Sequence, residues 1–338
     1  MKKIEKNNLT KLSRNQIYAM KAFAIMCVVP AHIPFVPDNY SIPSQTISVM
    51  LSTLGSMGVG VFFFVSGYLL DAGNTKNLDI KMYLMKKIKT LGLPWFVSGS
   101  LLYIYIAIRK TGNVIGYLKY MFGYMSSLWY MSVLFVFLFV FYYIERSKNC
   151  NIVCVICGLL SVVSAGARWM GLVPNTPLGL YLNPFNWVIF FSGGILFKRY
   201  EKMVIAFVVK SRYVFLAMFF AIVFSGVLGF RLSYYNVLYI PMELLVICTS
   251  LCFGLFFENS RLVRFLGLNS FCIYLYHELP WAGLVSRFAL KVDFFVILFL
   301  IPIVVIVCTI LMIKIGYVTS EKIGLESLYC RLTSYKDK

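Results

Sequence analysis

The sequence predicts an all-α fold, a polytopic transmembrane helix bundle of about ten spans with both termini cytoplasmic. Three observations predict it. Of the 338 residues, 60% are hydrophobic and only 13% are charged, and the mean hydropathy is +0.80. Apolar runs near the roughly 20 residues that cross a bilayer recur along the whole length. Lysine and arginine are also unevenly shared between alternate connections. With the N-terminus inside, the inner segments hold 24 of them and the outer ones 7, and Lys21 completes the 32. That asymmetry sets the orientation. It also assigns the net charge of +19 to anionic lipid headgroups or a cytoplasmic anion and excludes nucleic acid as a partner.

The spans follow in order. The first, Ile17–Phe35, carries Lys21 and His32. The second, Ile47–Leu70, is relieved by Gly58, Gly60 and Gly67, where a neighbouring helix can approach. The basic stretch Lys76–Lys89 has apolar spacing and reads as an amphipathic helix on the cytoplasmic interface. The third span, Thr90–Ile108, opens with Pro94-Trp95-Phe96. The fourth, Leu128–Ile144, opens with Trp129-Tyr130. Both openings suit an interfacial aromatic belt. Val114–Ser127, between them, reads as interfacial or re-entrant. The fifth span is Asn151–Ala167, followed by the proline-containing outer loop Arg168–Pro184. The sixth, Phe185–Phe197, is short and contains Gly193-Gly194. The seventh, Tyr213–Phe230, precedes the eighth, Val237–Phe257, which buries Glu243. The ninth, Leu268–Phe288, carries His277-Glu278, and the tenth is Phe294–Ile315.

The domain division is a cytoplasmic segment 1–14, a transmembrane domain 15–316 and a cytoplasmic tail 317–338. No cleavable signal peptide is expected at the N-terminus. There is no internal repeat of the kind that builds transporters from inverted halves. The nine cysteines lie mostly in apolar segments. The pair Cys154 and Cys157 reads as packing, and no metal site is expected.

Ionisable residues in hydrocarbon are expensive, so each is a candidate functional group. Lys21 and His32 are eleven positions apart. On a helix that places them on one face, about 16 Å apart along the axis. The plain alternative is a snorkelling lysine and a histidine satisfied within the bundle. His277 falls near the middle of its span and is followed by Glu278. An imidazole is commonly oriented by a carboxylate. Either Glu243 or Glu278 can serve His32 in this way, and the sequence leaves the choice open.

Four of these features together resemble the membrane-bound acyltransferase-3 family, bacterial integral-membrane O-acyltransferases of surface glycans. They are Lys21-x10-His32, then Phe62-Phe63-Phe64-Val65-Ser66-Gly67-Tyr68, then Leu128-Trp129-Tyr130, and finally Ser270-x2-Ile273-Tyr274-Leu275-Tyr276-His277. The resemblance spans about Arg14 to Ile315. It departs at one place. The commoner first-span pattern has an aspartate where Tyr18 stands and an arginine where Lys21 stands. Lysine keeps the charge but lacks the bidentate fork.

The resemblance implies an acyl-CoA donor on the cytoplasmic side, most often acetyl-CoA, and a hydroxyl of a cell-surface or lipid-linked saccharide as acceptor. It implies a location in the bacterial cytoplasmic membrane and possible partnership with polysaccharide-assembly proteins. The candidate site is then His32 as base or transient acyl carrier, and Lys21 and Arg14 toward the phosphates of the donor. Ser66 and Tyr68 are candidate oxyanion donors, with His277, Glu278 and Glu243 as further polar groups. Two other classes compete: a lipid-linked saccharide exporter, and a non-catalytic subunit of a polysaccharide synthesis complex. Neither needs an acyl donor.

Overall fold

The computed structural model describes residues 11–32, 43–70, 78–109, 112–124, 126–227, 238–280 and 300–336. Among these, helices are connected by turns and short irregular segments, and no strand occurs. Four helices are long and apolar enough to cross a membrane: Ile80–Ile108, Cys150–Trp169, Tyr239–Phe257 and Pro302–Lys322. A fifth candidate is the pair Val188–Lys210 and Arg212–Ile222, bent by 73°. The chain is thus an all-helical, multi-pass membrane protein.

The first helix, α1 (Arg14–Ala31), is the hub. Its start is written in a capping box. The backbone N–H of Gln16 donates to Ser13 Oγ at 3.2 Å, and that of Ser13 donates to Gln16 Oε1 at 2.9 Å. Ala19, Ala22, Ala24, Ile25 and Val29 are fully buried, so the helix is enclosed on every side. Glycines let its neighbours come close. In α2 (Pro43–Tyr68), Gly58 faces the Ala24 carbonyl. Later in the chain, Gly254 and Gly267 face the carbonyls of Gln16 and Tyr18.

The helix α3 (Ile80–Lys87) runs through a π-turn at Ile88–Gly92 into α4 (Leu93–Arg109). The basic segment is therefore not a separate interfacial helix from Ile80 onward; it is continuous with the third span. The wider turn sits where Pro94 has no N–H to offer the Thr90 carbonyl. Residues 76 and 77 lie outside the described residues. The short α5 (Val114–Met121) starts at Asn113, whose Oδ1 accepts from Gly116 N, and leaves Val114 and Ile115 exposed. α6 (Trp129–Ile144) and α7 (Cys150–Trp169) follow.

α8 (Val188–Lys210) runs well past the expected inner end at Phe197 and kinks at Tyr200 before α9 (Arg212–Val227). α2 and α8 cross at a pair of glycines: Gly67 lies against the Phe191 carbonyl and Gly194 against that of Phe64. α10 (Tyr239–Phe257) leads to α11 (Arg261–Leu268) and α12 (Ser270–Tyr276). These last two are separated at Asn269, at the start of the ninth apolar segment. The chain closes with α13 (Ile301–Lys322) and α14 (Glu326–Thr333).

Fewer helices pass the crossing test than the apolar runs suggest. α1 loses apolarity to Arg14 and Lys21, and the apolar helix Trp129–Ile144 is short. The outer end of the first expected span, the end of the seventh, the first residue of the eighth, the second half of the ninth and the start of the tenth lie outside the described residues.

The Gly67 crossing is testable. A Cβ there runs into the Phe191 carbonyl oxygen. Gly67→Ala is expected to cost about 1–3 kcal/mol of stability. A lower melting temperature and a smaller monodisperse fraction of detergent-solubilised protein are the expected readouts.

Candidate active site

α1 ends at His32, which caps it with φ −91° and ψ 5°. A helix end leaves carbonyls without partners, and here the side chain supplies one. His32 Nδ1 donates to the Val28 carbonyl at 3.0 Å. His277 repeats the arrangement at the end of α12, with Nδ1 donating to the Tyr274 carbonyl at 2.7 Å. A carbonyl only accepts, so both rings carry hydrogen on Nδ1, and in a neutral ring the lone pair is then on Nε2. His277 is 1% exposed, and its Nε2 has no hydrogen-bond partner among the described residues. The two rings meet edge to face, with centroids 5.0 Å apart.

Glu278 completes the group. One nitrogen from each histidine and one Glu278 oxygen lie within 4.8 Å of one another. Two imidazoles and a carboxylate at that spacing suit either proton transfer or a divalent cation. Tyr120 of α5 roofs the cluster. Burial, and then the adjacent Glu278 carboxylate, hold its hydroxyl well above the usual tyrosine range, so it stays protonated and able to donate. The roof is pinned by Ser126 Oγ, which donates to the Tyr120 carbonyl at 2.8 Å, and by Tyr274, whose hydroxyl donates to the Ser127 carbonyl. Gly123 turns the chain between them with φ +88°.

A cavity of about 190 Å³ opens at the other end of α1. Its polar lining is Lys21, Ser66, Lys87, Tyr130, Ser270 and Tyr274, with leucines between. Ser66 Oγ and the Tyr130 hydroxyl are 3.1 Å apart. Tyr130 stands edge-on to Tyr274 at 5.6 Å, and the Tyr274 ring is 6.3 Å from that of His277. Hydroxyls and aromatic faces thus lead from the lysines to the histidine pair.

The structure divides five of the predicted residues between these two places. His32, His277 and Glu278 come together, and Lys21 and Ser66 share the cavity. Gly55 packs on Ala31 beside His32, and Ser66 is eleven residues further along the antiparallel α2. Ser66 is therefore about 16 Å from the level of His32. Tyr68 is elsewhere: its hydroxyl donates to Glu201 Oε1 at 2.8 Å, the same oxygen that accepts from the Leu12 N–H. Glu243 is fully buried with its carboxyl against Gly60, and neither oxygen has a partner among the described residues. Of the two carboxylates that could serve His32, Glu278 is the one at the histidines. Arg14 is exposed at the start of α1.

Sequence reasoning passed over Lys87, Tyr120, Tyr130 and Tyr274 as site residues. Tyr274 had a readable signal, standing one helical turn before His277. Tyr130 lay within the Leu128-Trp129-Tyr130 motif but read as belt. Tyr120 and Lys87 come from segments with no local mark of function.

A family model for an acyltransferase domain, that of the acyltransferase-3 family, matches residues 14–313. No curated protein and no solved structure matches the chain.

The Tyr68 bond gives a direct expectation. Tyr68→Phe leaves the buried Glu201 one donor short and is expected to cost about 1–3 kcal/mol of stability. A lowered unfolding temperature with an unchanged circular-dichroism spectrum of the folded state is the predicted result.

Proposed function

The chain belongs to the membrane-bound acyltransferase-3 family, and we propose that it is an O-acyltransferase that moves an acetyl group from acetyl-CoA to a saccharide hydroxyl. The acceptor is a cell-surface or lipid-linked glycan, and the membrane is the bacterial cytoplasmic membrane. In this reading ten spans leave both termini inside, the lysine-lined cavity faces the cytoplasm, and the histidine end faces outward. The observation that carries it is the pairing on one helix of a cationic cavity with an imidazole held through Nδ1 on the Val28 carbonyl, which in the neutral ring leaves Nε2 as the basic nitrogen.

The anionic end of the donor rests near Lys21 and Lys87, and its thin pantetheine arm passes Ser66, Tyr130 and Tyr274 toward the histidines. His32 Nε2 takes the proton of the acceptor hydroxyl as its oxygen attacks the thioester carbonyl. The tetrahedral intermediate collapses with cleavage of the C–S bond, and the imidazolium returns its proton to the departing thiolate. The ester and free CoA result, so protons and electrons balance. Glu278 stabilises the imidazolium, and His277 holds the second lone pair of the cluster. Tyr120, kept protonated, is a donor within reach of the same group.

Membranes containing the wild-type chain or His32→Ala are given labelled acetyl-CoA and the host glycan fraction, and label is followed into alkali-labile esters. His32→Ala is expected to lower transfer about 100- to 10,000-fold. Transfer that persists in folded His32→Ala removes the histidine from the chemistry. Absence of label with folded wild-type protein favours the exporter reading.

Lys21→Gln is expected to raise KM for acetyl-CoA more than it lowers kcat, with Lys21→Arg restoring most of it. An unchanged KM would take Lys21 out of donor binding. Transfer is also expected to survive EDTA. Loss on chelation and return with Zn²⁺ would make His32, His277 and Glu278 metal ligands instead.

A further inference from the structure

The end of the described chain does not hang free below the bundle. After α14, Ser334 turns in the left-handed region (φ 59°) and directs the chain back to Asn269 and Thr90, the neighbours in sequence of two residues that line the cavity. Tyr335 is buried and packs its ring on Tyr317, with centroids 5.4 Å apart. Lys336 is then held by both backbone groups. Its N–H donates to Asn269 Oδ1 at 2.9 Å, and its carbonyl accepts from Asn269 Nδ2 at 3.1 Å. Ser334 Oγ adds a long bond to the Thr90 carbonyl at 3.4 Å, the carbonyl that Pro94 cannot serve.

The two anchor points flank the cavity. Asn269 precedes Ser270, which lines it, and Thr90 precedes Leu91, which also lines it. Asn269 is 2% exposed at the break between α11 and α12, so its amide is committed to holding this strap. The strap leaves the Lys336 side chain exposed, and Lys336 is the charge that bears on Lys21. Lys87 is the third cation around the same opening. No carboxylate pairs with Lys21, Lys87 or Lys336 among the described residues. Lys21 and Lys336 are like charges that repel one another, and Lys87 lines the same cavity, so an anion is favoured there.

We propose that the strap Ser334–Lys336 is part of the substrate site, with Lys336 as a third cation that, beside Lys21 and Lys87, binds the phosphate-bearing end of the acyl donor. This rests on the acyl-CoA reading and adds to it a binding residue from the tail, a segment expected to be only a cytoplasmic extension. The side chain acts on the anionic end alone, so it governs affinity for the donor and leaves the chemistry at His32 untouched.

The test uses the purified full-length protein in nanodiscs and reads CoA binding by calorimetry, independently of turnover. Wild type, Lys336→Ala, Lys336→Glu, Lys336→Arg and the remote surface change Lys148→Glu are compared at low salt. Lys336→Ala is expected to weaken CoA binding about fivefold, and Lys336→Glu more, while Lys336→Arg and Lys148→Glu stay near wild type. In turnover, the rise in KM for acetyl-CoA should vanish when acetyl-pantetheine, which lacks the phosphates, is the donor. Wild-type affinity in both Lys336→Ala and Lys336→Glu overturns the strap's role and leaves the donor reading standing. A loss equal to that of Lys148→Glu reduces it to net charge and also overturns it. A wild-type protein that binds no CoA at all removes the donor reading, and the inference falls with it.

Discussion

Everything in this molecule depends on the enclosure of α1. A helix buried on all sides cannot leave a lysine or an imidazole to find water for itself. Each polar group it carries must be met by something the neighbouring helices provide. The glycines at 58, 254 and 267 bring those neighbours to the α1 backbone and fix where the openings remain. One opening is left at Lys21, and it is the cavity shared by α1, α2, α3, α6 and α12. At the other end α1 stops at His32, and the end of α12 arrives with a second histidine. The site is what the close packing of α1 does not fill.

Much of this was legible in the sequence, and the reasons differ by residue. The all-helical membrane character follows from composition, because a bilayer forces the backbone to satisfy itself within helices. His32, His277 and Glu278 were legible as candidates because an ionisable side chain in an apolar run is costly to keep and seldom idle. Their meeting was not. It depends on two helix ends, at Ala31 and Tyr276, coming to one level, and nothing local to either segment encodes the other's depth. The choice between Glu243 and Glu278 was undecidable for the same reason. Tyr68 misled because a conspicuous motif carried it, yet its hydroxyl points to Glu201, 133 residues away. The continuity of α3 with α4 was hidden by the change from basic to apolar residues, which reads as a boundary although a π-turn carries the helix through it.

Separation is the second organising fact. The cations and the histidines occupy opposite ends of α1, about 16 Å apart. A single compact site holding both would place ammonium groups beside the imidazoles, and their field would oppose protonation of the rings. Distance removes that conflict. The intervening wall is not charged: Ser66, Tyr130 and Tyr274 offer hydroxyls and ring edges. Such a wall accommodates a neutral, extended group without adding to the field at either end. The geometry therefore suits a ligand with a strongly anionic head, a long uncharged arm and its reactive bond at the far tip.

The departure at Tyr18 and Lys21 fits this division of labour. In the commoner first-span pattern, an aspartate three residues before an arginine is one helical turn away, close enough to pair with it and hold the fork in place. Here position 18 is a tyrosine whose backbone carbonyl receives Gly267, so that turn contributes packing in place of a carboxylate. The cation at position 21 is left without a partner on its own helix. A lysine suits that setting, because a flexible point charge needs no planar partner to orient it. The cost is weaker recognition by this one residue. On the proposed reading it is offset by positive charge on separate elements, with Lys87 on α3 and Lys336 on the strap held by Asn269. On the proposed reading, the part of a single oriented guanidinium is shared by three ammonium groups on separate elements of the fold.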